Sequence, residues 1–321
     1  MNATNCCLAV DLGGTKLLIG VVDSNGQILS SKKYPSILGC GAQQREITQE
    51  VLRCIDDFCA DGLPKSVACV GAGLVGRVDP FKGLWLEIEP GRCETVRFAE
   101  ILSSHTGLPC RIDNDVRCAL RAERTLGFGS ESDNFLYINV GTGIASGIVA
   151  DGRVVRGASF NAGEVGHLSV DLSGGVPCPC GRVGCVEAIA AGSGLDRRAR
   201  SMRAQYPDTR LTFPDNERCH AEEIFRLARE GDALCLRLCA DASAAIASLI
   251  MNLCWVNDPD AVVLGGGIVA DPWMFNLIRQ QLPRNSMRFV ARGVHLTRLN
   301  PNHVGLIGAA LCGLQVEAQE K

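Results

Sequence analysis

The chain has 321 residues, 46% apolar and 21% charged, with a net charge of −3 and a pI near 6.0. That length suits two lobes with a sizeable core, and the mild acidity makes nucleic acid an unexpected partner. No run of 18 uninterrupted apolar residues suggests a membrane span, and the start MNATNCCLAVDLGG lacks the basic segment and apolar run of a secretory leader, so a cytoplasmic protein with most of its 17 cysteines reduced is expected.

Residues 7–10 read as a strand, Asp11-Leu12-Gly13-Gly14-Thr15-Lys16 as a tight turn, and 17–22 as a second strand. Asn25-Gly26 predicts a hairpin turn into a third strand at 27–31. Ile47, Val51, Cys54, Ile55 and Phe58 recur at helical spacing within 46–59. A strand at 67–71, a helix at 98–104, a strand at 110–112 and a helix at 116–126 follow. The pattern then restarts with a strand at 135–140, the turn Gly141-Thr142-Gly143, and strands at 145–149 and 153–156. Residues 205–220 read as a loop, 232–255 as a long apolar helix, and 261–264 as a buried strand running into Gly265-Gly266-Gly267. Residues 304–314 form a small-residue helix. The repeated opening predicts an α/β protein of two related halves, 1–117 and 118–303, with a C-terminal helix over 304–321.

The glycine turns suit phosphate. Glycine lets the backbone approach an anion, and Thr15 adds N–H and hydroxyl donors beside Lys16. Asp11 is placed to hold Mg²⁺. A plain hairpin turn explains the first loop equally well. Gly141, Thr142 and Gly143 repeat the arrangement, and Gly266 and Gly267 open a helix-like stretch that suits a nucleotide or a simple strand-to-helix turn.

Cys178, Cys180 and Cys185 lie within eight residues in a Pro/Gly-rich loop, and His167 precedes them. Three thiolates and one imidazole suit tetrahedral Zn²⁺ with no open position, hence a structural site. Asp113-Asn114-Asp115 follows a strand and precedes a helix, where a carboxylate can accept a hydroxyl proton or a side chain can cap the helix. Glu164 and Glu187 flank the metal motif, which would hold them rigidly enough to bind several hydroxyls of one polyol.

Taken together, Asp11–Lys16, Gly141–Gly143, the segment Asn161-Ala162-Gly163-Glu164-Val165-Gly166-His167 and the segment running from Cys178 to Glu187 resemble the motifs of the ROK family of bacterial sugar kinases and sugar-responsive repressors, over essentially the whole chain. The resemblance implies an actin-like, hexokinase-like two-lobed ATPase fold with a central cleft, the C-terminal helix packing back on the first lobe. It implies a kinase for a hexose or N-acylhexosamine using ATP, Mg²⁺ and structural Zn²⁺, with Asp115 as base and commonly a homodimer. Sugar contacts are implied for Gly73, Asn114, Asp115, Glu164, His167 and Glu187. Two departures stand out. Ala145 and Ser146 interrupt the second glycine pattern, and no asparagine lies between Gly76 and Asp113, which leaves Glu87 or Glu89 for a sugar hydroxyl or no such contact at all. Only ten residues precede Asp11, too few for a DNA-binding domain. A sugar-sensing or polyol-binding protein without robust kinase activity is the alternative.

Overall fold

The apolar runs on either side of Gly13-Gly14 pair as an antiparallel hairpin, β1 (Cys6–Leu12) and β2 (Lys16–Asp23), and β3 (Ile28–Pro35) joins β2. Asp23 Oδ1 accepts the N–H groups of Asn25 and Gln27, and Gly26 takes a φ of 79°, which closes the Asn-Gly turn. These details come from a computed structural model, which describes residues 5–64, 66–89, 91–171, 173, 175–215 and 217–315.

Helix α1 (Gln44–Cys59) buries Ile47, Val51, Cys54 and Ile55, the stripe its spacing predicts. Strand β4 (Val67–Leu74) runs parallel to β1. A small hairpin of β5 (Arg77–Asp79) and β6 (Leu84–Glu87) follows, then α2 (Phe98–Thr106), β7 (Cys110–Asn114) and α3 (Asp115–Leu126). The sheet order is β3-β2-β1-β4-β7, so β7 is an edge. Trp85 is fully buried edge-on to Phe98 at 5.7 Å, and its indole N–H donates to Val75 O at 2.9 Å, which fixes the small hairpin.

The second half repeats the plan. Strands β8 (Phe135–Val140), β9 (Ile144–Ala150) and β10 (Arg153–Val154) form the meander. Helices α4 (Val186–Ala190), α5 (Gly192–Met202), α6 (Ala221–Arg229) and α7 (Ala233–Asn257) follow. Then come β11 (Ala261–Gly265), α8 (Gly267–Ala270), α9 (Pro272–Gln280), α10 (Arg284–Met287) and β12 (Gly293–Leu296), giving the order β10-β9-β8-β11-β12. Among the described residues, α7 alone is long and apolar enough to cross a membrane, yet it buries Leu238, Ile246, Leu249 and Ile250 in the core of its own unit.

By its contacts the chain divides into unit 1, comprising residues up to Ser132, Val155–Ala162 and the segment from Arg298, and unit 2, comprising Asp133–Val154 and Gly163–Thr297. The boundary expected at 117/118 falls inside α3. That helix stays with unit 1 because α11 (Val304–Gly313) packs on it closely: a Cβ at Gly308 would lie 1.7 Å from Cys118 O. A Cβ at Gly71 would lie 1.9 Å from Ala309 O, so the small residues of β4 and α11 set how near the two backbones come. Residues 316–321 of the expected C-terminal helix lie outside the described residues.

Candidate active site and metal centre

In unit 1, Asp115 is the first residue of α3 and Asn114 is its N-cap. Asn114 Oδ1 accepts the N–H groups of Val116 and Arg117, both at 3.1 Å, satisfying donors that the first turn leaves unpaired. Its amide donates to Gly76 O at 2.9 Å and to Asp115 Oδ1 at 3.0 Å. Val116 N also donates to Asp115 Oδ1 at 2.9 Å, so both bonds anchor Oδ1 and neither engages Oδ2. Desolvation pushes the Asp115 carboxyl up to about 6, against the hydrogen bonds and Arg117, which pull it down. Gly73 lies flush against this residue: a Cβ there would be 3.4 Å from Asp115 Cα.

Asp113, on the preceding strand, is 2% exposed. Both its oxygens accept from the Arg156 guanidinium at 2.9–3.0 Å, and Arg117 lies 4.0 Å away. Arg117 in turn donates to Phe160 O at 2.9 Å and Ala162 O at 3.2 Å. These bonds hold residues 155–162 in unit 1.

Asp11 sits on β1 in register with Gly73. Desolvation first, then the Asp115 charge, push its carboxyl up to about 7, and Lys16 opposes them. Lys16 Nζ donates to Asn302 O at 3.3 Å. Gly305, in the first turn of α11, faces this carboxylate so closely that a Cβ would lie 2.6 Å from it. Gly13 N donates to Lys16 O, closing the turn, while Gly14 and Thr15 are exposed at its tip.

In unit 2, Gly141 N donates to Gly143 O at 3.0 Å, another tight turn. The N–H groups of Gly192 and Ser193, opening α5, donate to Gly141 O and Thr142 O. Gly266 takes a φ of 94°, and a Cβ there would lie 2.4 Å from Val140 O. The Gly266-Gly267 turn therefore lies against the strand end that leads into Gly141. Glu187, on α4, accepts the Ile144 N–H with Oε2 at 2.9 Å. Cβ atoms at Gly143 and Gly166 would approach that same oxygen to 2.8 and 3.2 Å.

His167, Cys178, Cys180 and Cys185 bring their ligand atoms within 4.8 Å of one another. Cys178 Sγ is 3.6 Å from His167 Nδ1, and Cys180 Sγ is 3.6 Å from Cys185 Sγ. A tetrahedral zinc with bonds of about 2.3 Å to sulfur separates its ligand atoms by about 3.8 Å, so the donor set fits zinc. Gly181 and Gly184, at φ of 86° and 71°, let the loop curl, and Cys185 is the N-cap residue of α4. The cluster thus anchors the helix carrying Glu187. Glu164 is exposed beside it, and its carbonyl accepts the His167 N–H at 3.3 Å.

The ROK family model matches residues 7–315. The chain belongs to the ROK family. A β-glucoside kinase of Listeria monocytogenes is 32% identical over 316 residues, 96% of this chain and 97% of its own length. A glucokinase of Halalkalibacterium halodurans is 28% identical over 320 residues, 98% of this chain and 95% of its own. The solved structure of a ROK family glucokinase from Streptomyces griseus, in complex with glucose and AMPPNP, matches with a TM-score of 0.80 at 26% identity, covering 97% of this chain and 100% of that one. The chain therefore has the actin-like α/β fold of the ROK kinases.

Within this ROK chain, Glu87 and Glu89 separate cleanly. Glu87 pairs with Arg77 at 2.8 Å, and its own carbonyl would lie 2.1 Å from a Cβ at Gly76, the residue Asn114 binds. Glu89 is exposed and pairs with Arg92. Sequence reasoning missed Arg156 and Gly305. No local pattern marks Arg156, whose partner is distant in the chain. The small residues of the helix at 304–314 were noticed, but nothing in them singled out Gly305.

Proposed function

We propose that this chain transfers the γ-phosphate of ATP to a hydroxyl of a hexose or N-acylhexosamine. The observation that carries the reading is Asp115: a helix-start carboxylate with one oxygen anchored by Asn114 and a pKa of about 6, matched to accepting a proton near neutral pH. Asp115 takes the sugar hydroxyl proton as that oxygen attacks the γ-phosphorus and ADP leaves, while the residues around it hold the sugar in place. Asp11 would hold Mg²⁺, which neutralises charge on the transferred phosphate; its raised carboxyl beside Asp115 fits a cation there. The proposed nucleotide contacts are Gly13, Gly14, Thr15 and Lys16 in the first turn and Gly141, Thr142, Gly143, Gly266 and Gly267, where the glycines let the backbone approach phosphate.

For the sugar, Gly73, Asn114, Glu164, His167 and Glu187 are the proposed contacts, with Zn²⁺ holding His167 and α4 in place. Adjacency to Gly76 and Asn114 favours Glu87 over Glu89 as the residue standing where an asparagine is absent. The protein acts in the cytoplasm as a homodimer, a reading supported by the family resemblance. A coupled ADP-release assay with ATP and Mg²⁺ over hexoses, N-acylhexosamines and polyols tests the reaction, and sedimentation tests the dimer. Sugar-dependent ADP release is expected, and silence across the panel from zinc-replete protein would overturn the reading in favour of a sugar sensor.

A further inference from the structure

Unit 1 contains a cavity of about 510 Å³ along the free edge of β7, within the range that takes small ligands. Three guanidiniums line it, from Arg111, Arg121 and Arg156, against the single carboxylate of Asp113. Asp113 already spends both oxygens on Arg156 Nη1. Arg111 is exposed, and its guanidinium makes no hydrogen bond or ion pair among the described residues. The wall therefore gathers three guanidiniums, of which Arg111 is an unspent fork-shaped donor suited to a phosphate.

An aromatic rim stands beside these arginines. Phe81 is 79% exposed, the largest exposure of an aromatic side chain among the described residues. Its ring lies over the Arg156 guanidinium at 5.8 Å and 6.1 Å from the ring of Phe160. Phe160 holds a left-handed backbone, φ 57°, a conformation that costs a bulky residue on the order of 1–3 kcal/mol and persists only where its surroundings enforce it. Arg117 enforces it by donating to the Phe160 carbonyl. Strain of this kind accumulates where a side chain is aimed for use.

We propose that this cavity is a second ligand site, for a phosphate monoester on a sugar-sized body. The phosphate meets Arg111, Arg121 and Arg156, and the apolar face of the sugar ring lies on Phe81. The phosphate half stands on the arginines alone; the sugar half rests on the kinase reading, since the product of such a kinase belongs to this class.

Calorimetric titration of the full chain with inorganic phosphate, glucose 6-phosphate and glucose reads binding without turnover, so it fails or succeeds apart from the ADP assay. Saturable binding of both phosphates is expected, weakened at least tenfold by Arg111→Glu. Phe81→Ala is expected to weaken glucose 6-phosphate several-fold and leave inorganic phosphate unchanged. Arg111→Gln carries the test should charge reversal unfold the protein. Absence of binding, or equal affinity in the Arg111 variants, overturns the site. Equal affinity for the two phosphates overturns the sugar half alone.

Discussion

Glu187 Oε2 accepts the backbone N–H of Ile144 at 2.9 Å, joining the helix that starts at the metal cluster to the second glycine turn. A carboxylate expected to face sugar hydroxyls thus also fixes a loop assigned to phosphate. Gly143→Ala puts a methyl 2.8 Å from that oxygen. A KM for ATP raised at least tenfold, on the order of the 1.4 kcal/mol that a factor of ten represents, is expected from steady-state kinetics. An unchanged KM would mean the loop does not meet nucleotide.

Asp115→Asn keeps the size of the side chain and removes the base. Turnover is expected to fall by about 10²–10⁴-fold. In the native protein kcat/KM should fall as pH drops through about 6, because the basic form is lost there. The sign for stability is the reverse. A carboxyl whose folded pKa is raised opposes folding once ionised, so stability declines as pH rises from about 4 to 6. Asp115→Asn is therefore expected to be more stable than wild type at pH 8, by about 1–3 kcal/mol in a urea titration.

Cys180→Ser removes one of the four ligand atoms of the metal cluster. Metal analysis should find about one zinc per chain in the wild type and a large loss in the variant. The melting temperature should drop on the order of 10 °C, since binding energy at a closed zinc site is folding energy. Wild-type protein purified without zinc and melting unchanged after chelation would remove the structural role.

Arg156→Met leaves Asp113, 2% exposed, with Arg117 at 4.0 Å as its remaining ion pair among the described residues. Removing one partner of a buried pair typically costs about 3–5 kcal/mol. An unfolding free energy lowered by about 3 kcal/mol in a denaturant titration is expected, and a change under about 0.5 kcal/mol would show that Arg117 suffices.

Much of this architecture was legible in the residues. The strand at 135–140 matches β8 at both ends, and the two glycine turns lie between paired strands as expected. The segment Asp113-Asn114-Asp115 was readable as holding a base or, at Asp113 or Asn114, a helix cap, and the geometry gives the cap to Asn114. Other elements went unread. Helix α6 has a strongly amphipathic sequence, yet it directly follows a polar stretch with two prolines that draws attention to the loop. Helix α9 carries an Asp271 cap and a proline at its first position, a start signal standing in the letters. Strand β12 has four half-buried residues and exists only because β11 offers it an edge, so no periodicity marks it. The Arg156–Asp113 pair joins residues 43 apart, and such partnerships are set by tertiary packing.

The place of α11 has a consequence for synthesis. Unit 2 is nearly contiguous and is fully translated once Thr297 has emerged. Unit 1 is not: the faces of β1, β4 and α3 that receive α11 wait for residues 304–313, the last helix among the described residues. Until then the nascent chain holds an uncovered apolar surface beside Asp11, and the close Gly308–Cys118 and Gly71–Ala309 contacts act as a final seal. A ribosome stalled just short of this helix would carry a chain with nearly every motif in place and its first sheet still open.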